Sequence, residues 1–248
     1  MTTNSVLEKT FLENDNTKIL ETCGVLLVNK EKAKTSFSII SELRKLSKIK
    51  KIGHAGTLDP FATGVMVILV GREFTKKSDS FLNNDKEYIA KIKLGYTSTT
   101  LDPEGIITKC SDIVPEENEI KKLINKNFCG KILQTPPMYS AKKVNGKKLY
   151  NLARKGITIK REPVKINIST ILIKYSYPYL ELKIKCSKGT YIRVVAEDIG
   201  KELQTGAFLE ELVRTRSGSF LLNNCVDQKN FKSSNFDYKL HLLNKIEN

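Results

Sequence analysis

The stretch KIGHAGTLDPFATG, residues 51 to 64, places one carboxylate, Asp59, in a loop of glycines and small residues. A helical-looking run precedes the loop and the apolar VMVILVG follows it. With an ordinary pKa near 3.9, an aspartate is ionised at neutral pH and can act as a nucleophile without a base to activate it. Asp and Pro are also both turn formers, and on the dipeptide alone a plain turn has about two chances in three. His54 lies in the same loop, five residues earlier. A lone histidine is more often structural than catalytic. Gly53, Gly56 and Gly64 allow a tight path and close approach of another backbone. They do not form a phosphate cradle, because no G-x-x-x-x-G-K-[ST] surrounds them.

The elements that must position this loop can be read from periodicity. GVLLV (24 to 28) is a short buried strand. SFSIISELRKLSKIKK has helical spacing, with Ser36 as N-cap and Phe37, Ile40, Leu43 and Ile49 along one stripe, flanked by Ile39 and Leu46. VMVILV is apolar on both faces, as a central strand is. YIAKIKL alternates, with Tyr88, Ala90, Ile92 and Leu94 on one face. EENEIKKLINKNF is a helix with Ile120, Leu123, Ile124 and Phe128 inward, and KKLYNLARKG a short helix ending at Gly156. VKINISTILIKYS and YLELKIKCS are long strands. YIRVVAEDIGKEL returns to helical spacing through Ile192, Val195, Ala196 and Ile199. Strands and helices do not alternate regularly, so the expected class is α+β with a largely antiparallel sheet. No repeat, low-complexity tract or strong linker interrupts the chain.

At 248 residues the chain can bury a substantial core. Its composition is that of an ordinary soluble protein, but its net charge of +15 favours polyanions. On charge alone, a nucleic-acid partner and an A/T-rich genome that inflates the lysine count weigh about equally. Five cysteines without a C-x-x-C pair, and only two histidines, leave no metal-ligand cluster, and free thiols in a reducing compartment are expected. No apolar run approaches the ~18 residues of a membrane span, and the N-terminus lacks a signal-peptide core. A cytoplasmic location is expected.

Several blocks, taken together, resemble the bacterial tRNA pseudouridine synthases called the TruB family. They are GVLLVNK, KIGHAGTLDPFATGVMVILVG, DKEYIAKIKLG, LDPEGIIT, QTPPMYSAKKVNGKKLYNLARKG, KCSKGTYIRVVAEDIG and RTRSGSF, in the family's order, over roughly residues 24 to 220. The resemblance implies a pseudouridine-synthase fold, with helices flanking the sheet and a central RNA-binding cleft. It implies an isomerase that needs no cofactor and no metal and acts on the T-loop uridine of tRNA. Pseudouridylation breaks the bond from uracil N1 to ribose C1′, turns the base and rejoins it through C5.

By resemblance Asp59 is the nucleophile, attacking either the sugar or the pyrimidine ring. Tyr88 stacks on the extruded base, and Arg193 is the basic partner of the aspartate, holding it ionised. Tyr88 also fits a plain core position by its parity with Ala90 and Ile92, and Arg193 fits an exposed cation at a helix start. Tyr191 and Leu212 match pocket-lining positions and His54 an RNA-contacting histidine. Lys45, Lys48, Lys50 and Lys51, and then Lys142, Lys143, Lys147 and Lys148, are expected to track phosphates of the T-arm.

The expected domains are an N-terminal extension (1–22), a catalytic unit (23–220) and a short tail (221–248) without the RNA-binding PUA domain that many members carry. VNKEKAKTS departs from the family at Asn29 and Glu31, which puts a local turn in doubt. The chain is expected to be a monomer with no obligate protein partner and no membrane association. The alternative is an RNA-binding folding helper with incidental catalytic residues. A base-exchanging transglycosylase is weaker still, since its barrel pattern is missing.

Overall fold

The computed structural model describes residues 22–144 and 146–244. The lead-in, apart from Thr22, lies outside the described residues, as do Asn145, the end of the tail and the Lys148 side chain. In chain order the strands are β1 (Gly24–Lys30), β2 (Ile52–His54), β3 (Thr63–Val70), β4 (Lys86–Leu94), β5 (Tyr96–Ser98), β6 (Ile107–Lys109) and β7 (Cys129–Gln134). They continue with β8 (Lys143–Val144), β9 (Lys147–Lys148), β10 (Val164–Ser176), β11 (Tyr179–Cys186), β12 (Ala207–Ser217), β13 (Phe220–Leu221), β14 (Val226–Asp227) and β15 (Leu242–Leu243). The helices are α1 (Ser36–Ser47), α2 (Arg72–Lys76), α3 (Ser78–Leu82), α4 (Glu117–Asn127), α5 (Leu149–Ala153) and α6 (Ile192–Glu202). This is the α+β class read from the sequence, with mostly antiparallel pairing.

The chain condenses into two units, one of residues up to Asn84 and from Arg216 onward, the other Asp85–Thr215. In the first unit β3 pairs antiparallel with β1 along its length, from Gly24↔Val70 to Lys30↔Gly64, and with β2 at its far end. VMVILV is buried throughout, as a strand covered on both faces must be. Val25, Leu27, Val65, Val67 and Leu69 form one face of the core, with Phe74, Phe81 and Phe220 packed on it. The tail adds short strands to this unit. β14 pairs parallel to β1 through Val28↔Val226, and β15 antiparallel through Val25↔Leu243, with 3₁₀ turns between them.

Helix α1 shows two departures from its sequence pattern. Its cap is Thr35, whose side chain accepts from the Ser38 N–H, so Ser36 is freed for another task. The buried face is Ser36, Ile39, Ile40 and Leu43, at spacings of three and four, while Phe37 is 61% exposed and lies under the Arg44 guanidinium.

In the second unit the strand order is β12-β4-β11-β10-β7. β4 alternates strictly, burying Tyr88, Ala90, Ile92 and Leu94, and pairs with β11 through Tyr88↔Ile184 and Ala90↔Leu182. β11 pairs with β10, and β10 with β7. α4 packs on β10 and α6 on β4, burying Ile120, Ile124, Val195, Ala196 and Ile199. The α6 C-terminus turns back over Gly200, whose carbonyl accepts from both Thr205 and Gly206. A Cβ on Gly200 would overlap the Gly206–Ala207 backbone.

Candidate active site

In the first unit the course of the Asp59 loop is held from both sides of the aspartate. Leu58 is buried, and both its backbone groups bond one side chain. The Ser36 Oγ donates to the Leu58 carbonyl at 2.9 Å and accepts from the Leu58 N–H at 2.9 Å. On the other side the Pro60 carbonyl accepts from the Ala33 N–H at 2.9 Å and from the Lys30 ammonium at 3.0 Å. Lys30 is almost fully buried, and its Nζ also donates to the Glu31 and Lys34 carbonyls. A buried ammonium surrounded by carbonyls is the arrangement that offsets its lost hydration.

Asp59 opens a turn closed by the Ala62 N–H donating to the Asp59 carbonyl at 3.1 Å, with Pro60 in the position whose fixed φ suits a turn. Phe61 and Ala62 are then buried, leading into β3. Asp59 and Pro60 are half-buried, between the buried Leu58 and Phe61. The same loop carries His54, half-buried, where β2 leaves β3 at His54↔Ile68. Thus the lone carboxylate of this loop is also the first residue of a turn. Lys45, Lys48, Lys50 and Lys51, around the α1 C-terminus, are all exposed.

In the second unit Tyr88 lies in the buried row of β4, 8% exposed, and Leu212 is buried on the neighbouring β12. Two residues before Tyr88, Lys86 is buried opposite Cys186. Desolvation and the nearby Arg214 guanidinium push its pKa down to about 8, and burial pushes the Cys186 thiol up to about 11.

Arg193 occupies the first turn of α6, which begins after Tyr191 at the N-cap. It is not an exposed cation: its side chain is 6% exposed. Nη1 lies 3.4 Å from Asp102 Oδ2 and donates to the Thr100 carbonyl at 3.1 Å, and Nη2 donates to the Tyr139 carbonyl at 2.9 Å. A cation at a helix N-terminus opposes the helix dipole, and these acceptors outweigh that cost.

Asp102 was not singled out by its sequence position, although it lies in the LDPEG block. Its side chain is 4% exposed, and its Oδ1 accepts from Thr100 Oγ1 at 2.6 Å and from the Glu104 N–H at 3.0 Å. The carboxylate is therefore fixed before it meets the guanidinium. Tyr191 is half-buried, its backbone held by the side chain of Gln134. Tyr191, Arg193, Tyr139 and Asp102 thus come together around the start of α6.

Lys142, Lys143 and Lys147 sit on a small hairpin in which Lys143 pairs with Lys148 and Val144 with Lys147. Lys143 and Lys147 are exposed and Lys142 half-buried. The hairpin is closed by the Leu149 N–H donating to the Lys142 carbonyl and the Tyr150 N–H to the Ser140 carbonyl. Beside it is a cavity of about 490 Å³, lined by Lys143, Lys147, Tyr150, Asn151, Lys155 and Ile157 among others. Cations around an aromatic suit a nucleic-acid backbone.

Among the described residues no cluster of His, Cys, Asp and Glu has the geometry to hold a metal ion, and no helix is long and apolar enough to cross a membrane.

Residues 44–192, more than half of the chain, match the model of the TruB family pseudouridylate synthase N-terminal domain. The chain is 58% identical over 204 residues to the tRNA pseudouridine synthase B of Protochlamydia amoebophila, covering 82% of this chain and 78% of that protein. It is 51% identical over 219 residues to the protein of the same name from Chlamydia abortus, covering 88% and 93%. A solved structure, of a Cbf5-Nop10-Gar1 complex, superposes with a TM-score of 0.68 at 23% identity. That match covers 90% of this chain and 60% of the other, so this chain spans about three fifths of its length, and the likeness is one of fold. These matches show that the chain belongs to the TruB family of pseudouridylate synthases.

Proposed function

We infer that this protein isomerises uridine to pseudouridine in tRNA, at the T-loop uridine, with the Asp59 carboxylate as nucleophile. The observation that carries the reading is the high identity to proteins named tRNA pseudouridine synthase B over most of both chains. The geometry of the Asp59 loop supports the choice of nucleophile. Its backbone is fastened at the residues before and after, which holds a reacting group within the tolerance chemistry requires.

In this reading the carboxylate bonds transiently to the nucleoside while the N1–C1′ bond breaks and the base turns. C5 then bonds C1′ and loses its proton to solvent, N1 takes one up from solvent, and the carboxylate leaves. Tyr88 offers an aromatic face to the base once it has left its stack. Arg193 is the basic partner of the nucleophile, and Tyr191, Leu212 and His54 contact the nucleotide and its neighbours. Lys142, Lys143 and Lys147 hold phosphates of the T-arm. The proton lost at C5 is matched by the one gained at N1, so the isomerisation balances with no redox partner. The catalytic unit is residues 23–220, acting as a monomer in the cytoplasm.

The test is incubation with a T-arm transcript, carbodiimide labelling and primer extension. The parent is expected to give a stop at the T-loop uridine, and Asp59→Ala none. Modification retained by Asp59→Ala overturns the assignment of the nucleophile, and no stop with the parent overturns the function. About six phosphate contacts would make binding fall on the order of a thousandfold between ~50 and ~200 mM salt. A nearly flat salt dependence would remove the lysines from the interface.

A further inference from the structure

The side chain of Gln134 does something that no role above uses. It ends β7, is 2% exposed, and faces the backbone of Tyr191. Its Nε2 donates to the Tyr191 carbonyl at 3.1 Å, and its Oε1 accepts from the Tyr191 N–H at 2.8 Å. A side-chain amide carries one donor face and one acceptor face, so it can pair with a main-chain residue as a neighbouring strand would. Glutamine is the residue that reaches this far with both.

The residue it holds is a junction. Tyr191 is the N-cap of α6, with extended backbone (φ −103°, ψ 105°) and no side-chain cap bond of its own. Its carbonyl also accepts from the Val194 and Val195 N–H groups, which start the helix. Gln134 therefore fixes the point at which extended chain turns into helix, two residues before Arg193. A second fastening lies close by: Arg193 Nη2 donates to the carbonyl of Tyr139, five residues after Gln134. The segment 134–139 is thus tied to the start of α6 at both ends, and it runs directly into the lysine hairpin.

We propose that Gln134 is a positioning residue for pseudouridylation. It sets the backbone of Tyr191, and through that backbone the direction of the Tyr191 ring and the seat of the Arg193 guanidinium. The proposal rests on the functional reading above. Its mark is a loss in turnover rather than in binding, because the phosphate-holding lysines are untouched.

The experiment uses the full chain carrying Gln134→Met, of similar length and without hydrogen bonds, and measures kcat and KM on a T-arm transcript by the carbodiimide stop. A displacement of reacting groups by a fraction of an ångström to an ångström is expected to lower kcat by about tenfold to a hundredfold, with KM within about twofold of the parent. In ¹⁵N spectra the Tyr191 amide is expected to move upfield as its bond is lost. Gln134→Glu keeps the acceptor for the Tyr191 N–H but loses the donor, and its kcat is expected to fall between Met and parent. A Met variant with parental kcat overturns the proposal, most plainly if the Tyr191 amide has moved. A rise in KM alone also overturns it. Should the Met chain fail to fold, Gln134→Glu carries the same readouts, and parental kcat there refutes the role. A parent that forms no pseudouridine overturns the functional reading and this proposal with it, whereas an active parent with an indifferent Gln134 overturns only the latter.

Discussion

Asp102→Asn isolates the charge on the partner of Arg193 while nearly preserving its shape. The Asn Oδ1 can still accept from Thr100 Oγ1 and the Glu104 N–H, so the turn around residue 102 is retained. What disappears is the negative charge 3.4 Å from Nη1. At that separation the Coulomb attraction is about 5 kcal/mol for an effective dielectric near 20. Desolvating both groups takes back most of it, and a net coupling of about 2 kcal/mol is expected. The assay is a double-mutant cycle of Asp102→Asn and Arg193→Met, with stability read from urea unfolding of the full chain. Asp102→Asn alone is expected to destabilise by about 3 kcal/mol, more than the coupling, because a buried guanidinium loses charge compensation. In the Arg193→Met background the same change should cost about 1 kcal/mol, in line with that coupling. Turnover is expected to fall at least about tenfold in Asp102→Asn, since the guanidinium is then held by carbonyls and shifts. A coupling below about 0.5 kcal/mol, the usual error of additivity, would refute the claim that this pair sets the arginine.

Three further outcomes follow from separate features. Ser36→Ala removes both bonds that hold the Leu58 backbone; a loss of about 2 kcal/mol in urea unfolding is expected, with kcat falling more than KM rises. Gly200→Ala puts a methyl into the Gly206–Ala207 backbone; a drop in Tm of more than about 8 °C, or no soluble protein, is expected, and an unchanged Tm would contradict the packing. Asp198 on α6 has its carboxyl pushed up to about 6, first by burial and then by Glu197 and Glu202 against the opposing Lys201. Its ionisation in the folded state thus costs stability as pH rises from the unfolded value near 3.9 through about 6. The Tm of Asp198→Asn should therefore match the parent at low pH, climb above it across that window and stay above it beyond. A gap that narrows with rising pH would reverse the sign and refute the assignment.

Patterns that repeat along one element were legible in the sequence. YIAKIKL declared its buried face because alternation over several residues has no other cheap reading. VMVILV and the two long runs that became β10 and β11 were equally plain. Single-residue distinctions were less so. Thr35 and Ser36 are both capping types, and only the distant Leu58 backbone decides that Ser36 looks inward. Helical spacing predicts Phe37 on the apolar stripe of α1, but the stripe centres between Ile39, Ile40 and Leu43 and leaves it outside. The sequence does not announce β12, because FLEELV mixes acidic residues with leucines at helix-like spacing, and the strand leaves Glu211 exposed beside Lys91. In the candidate site, Asp59, Tyr88 and Arg193 came from blocks of resemblance. Asp102 and Gln134 stand in those same blocks, but what they touch is remote in sequence, and no local pattern reports it.

The fastenings around Asp59 run through the backbone of its neighbours and the side chains of Ser36 and Lys30, and none of these bonds involves a carboxylate atom. Shape and reactivity are in this respect separable at that position. With Asp59 as the proposed nucleophile, Asp59→Asn is expected to keep the backbone path set by these bonds yet be chemically silent, a decoy that captures RNA and leaves it unaltered. Such a decoy would let capture of the transcript be timed without the isomerisation that normally follows.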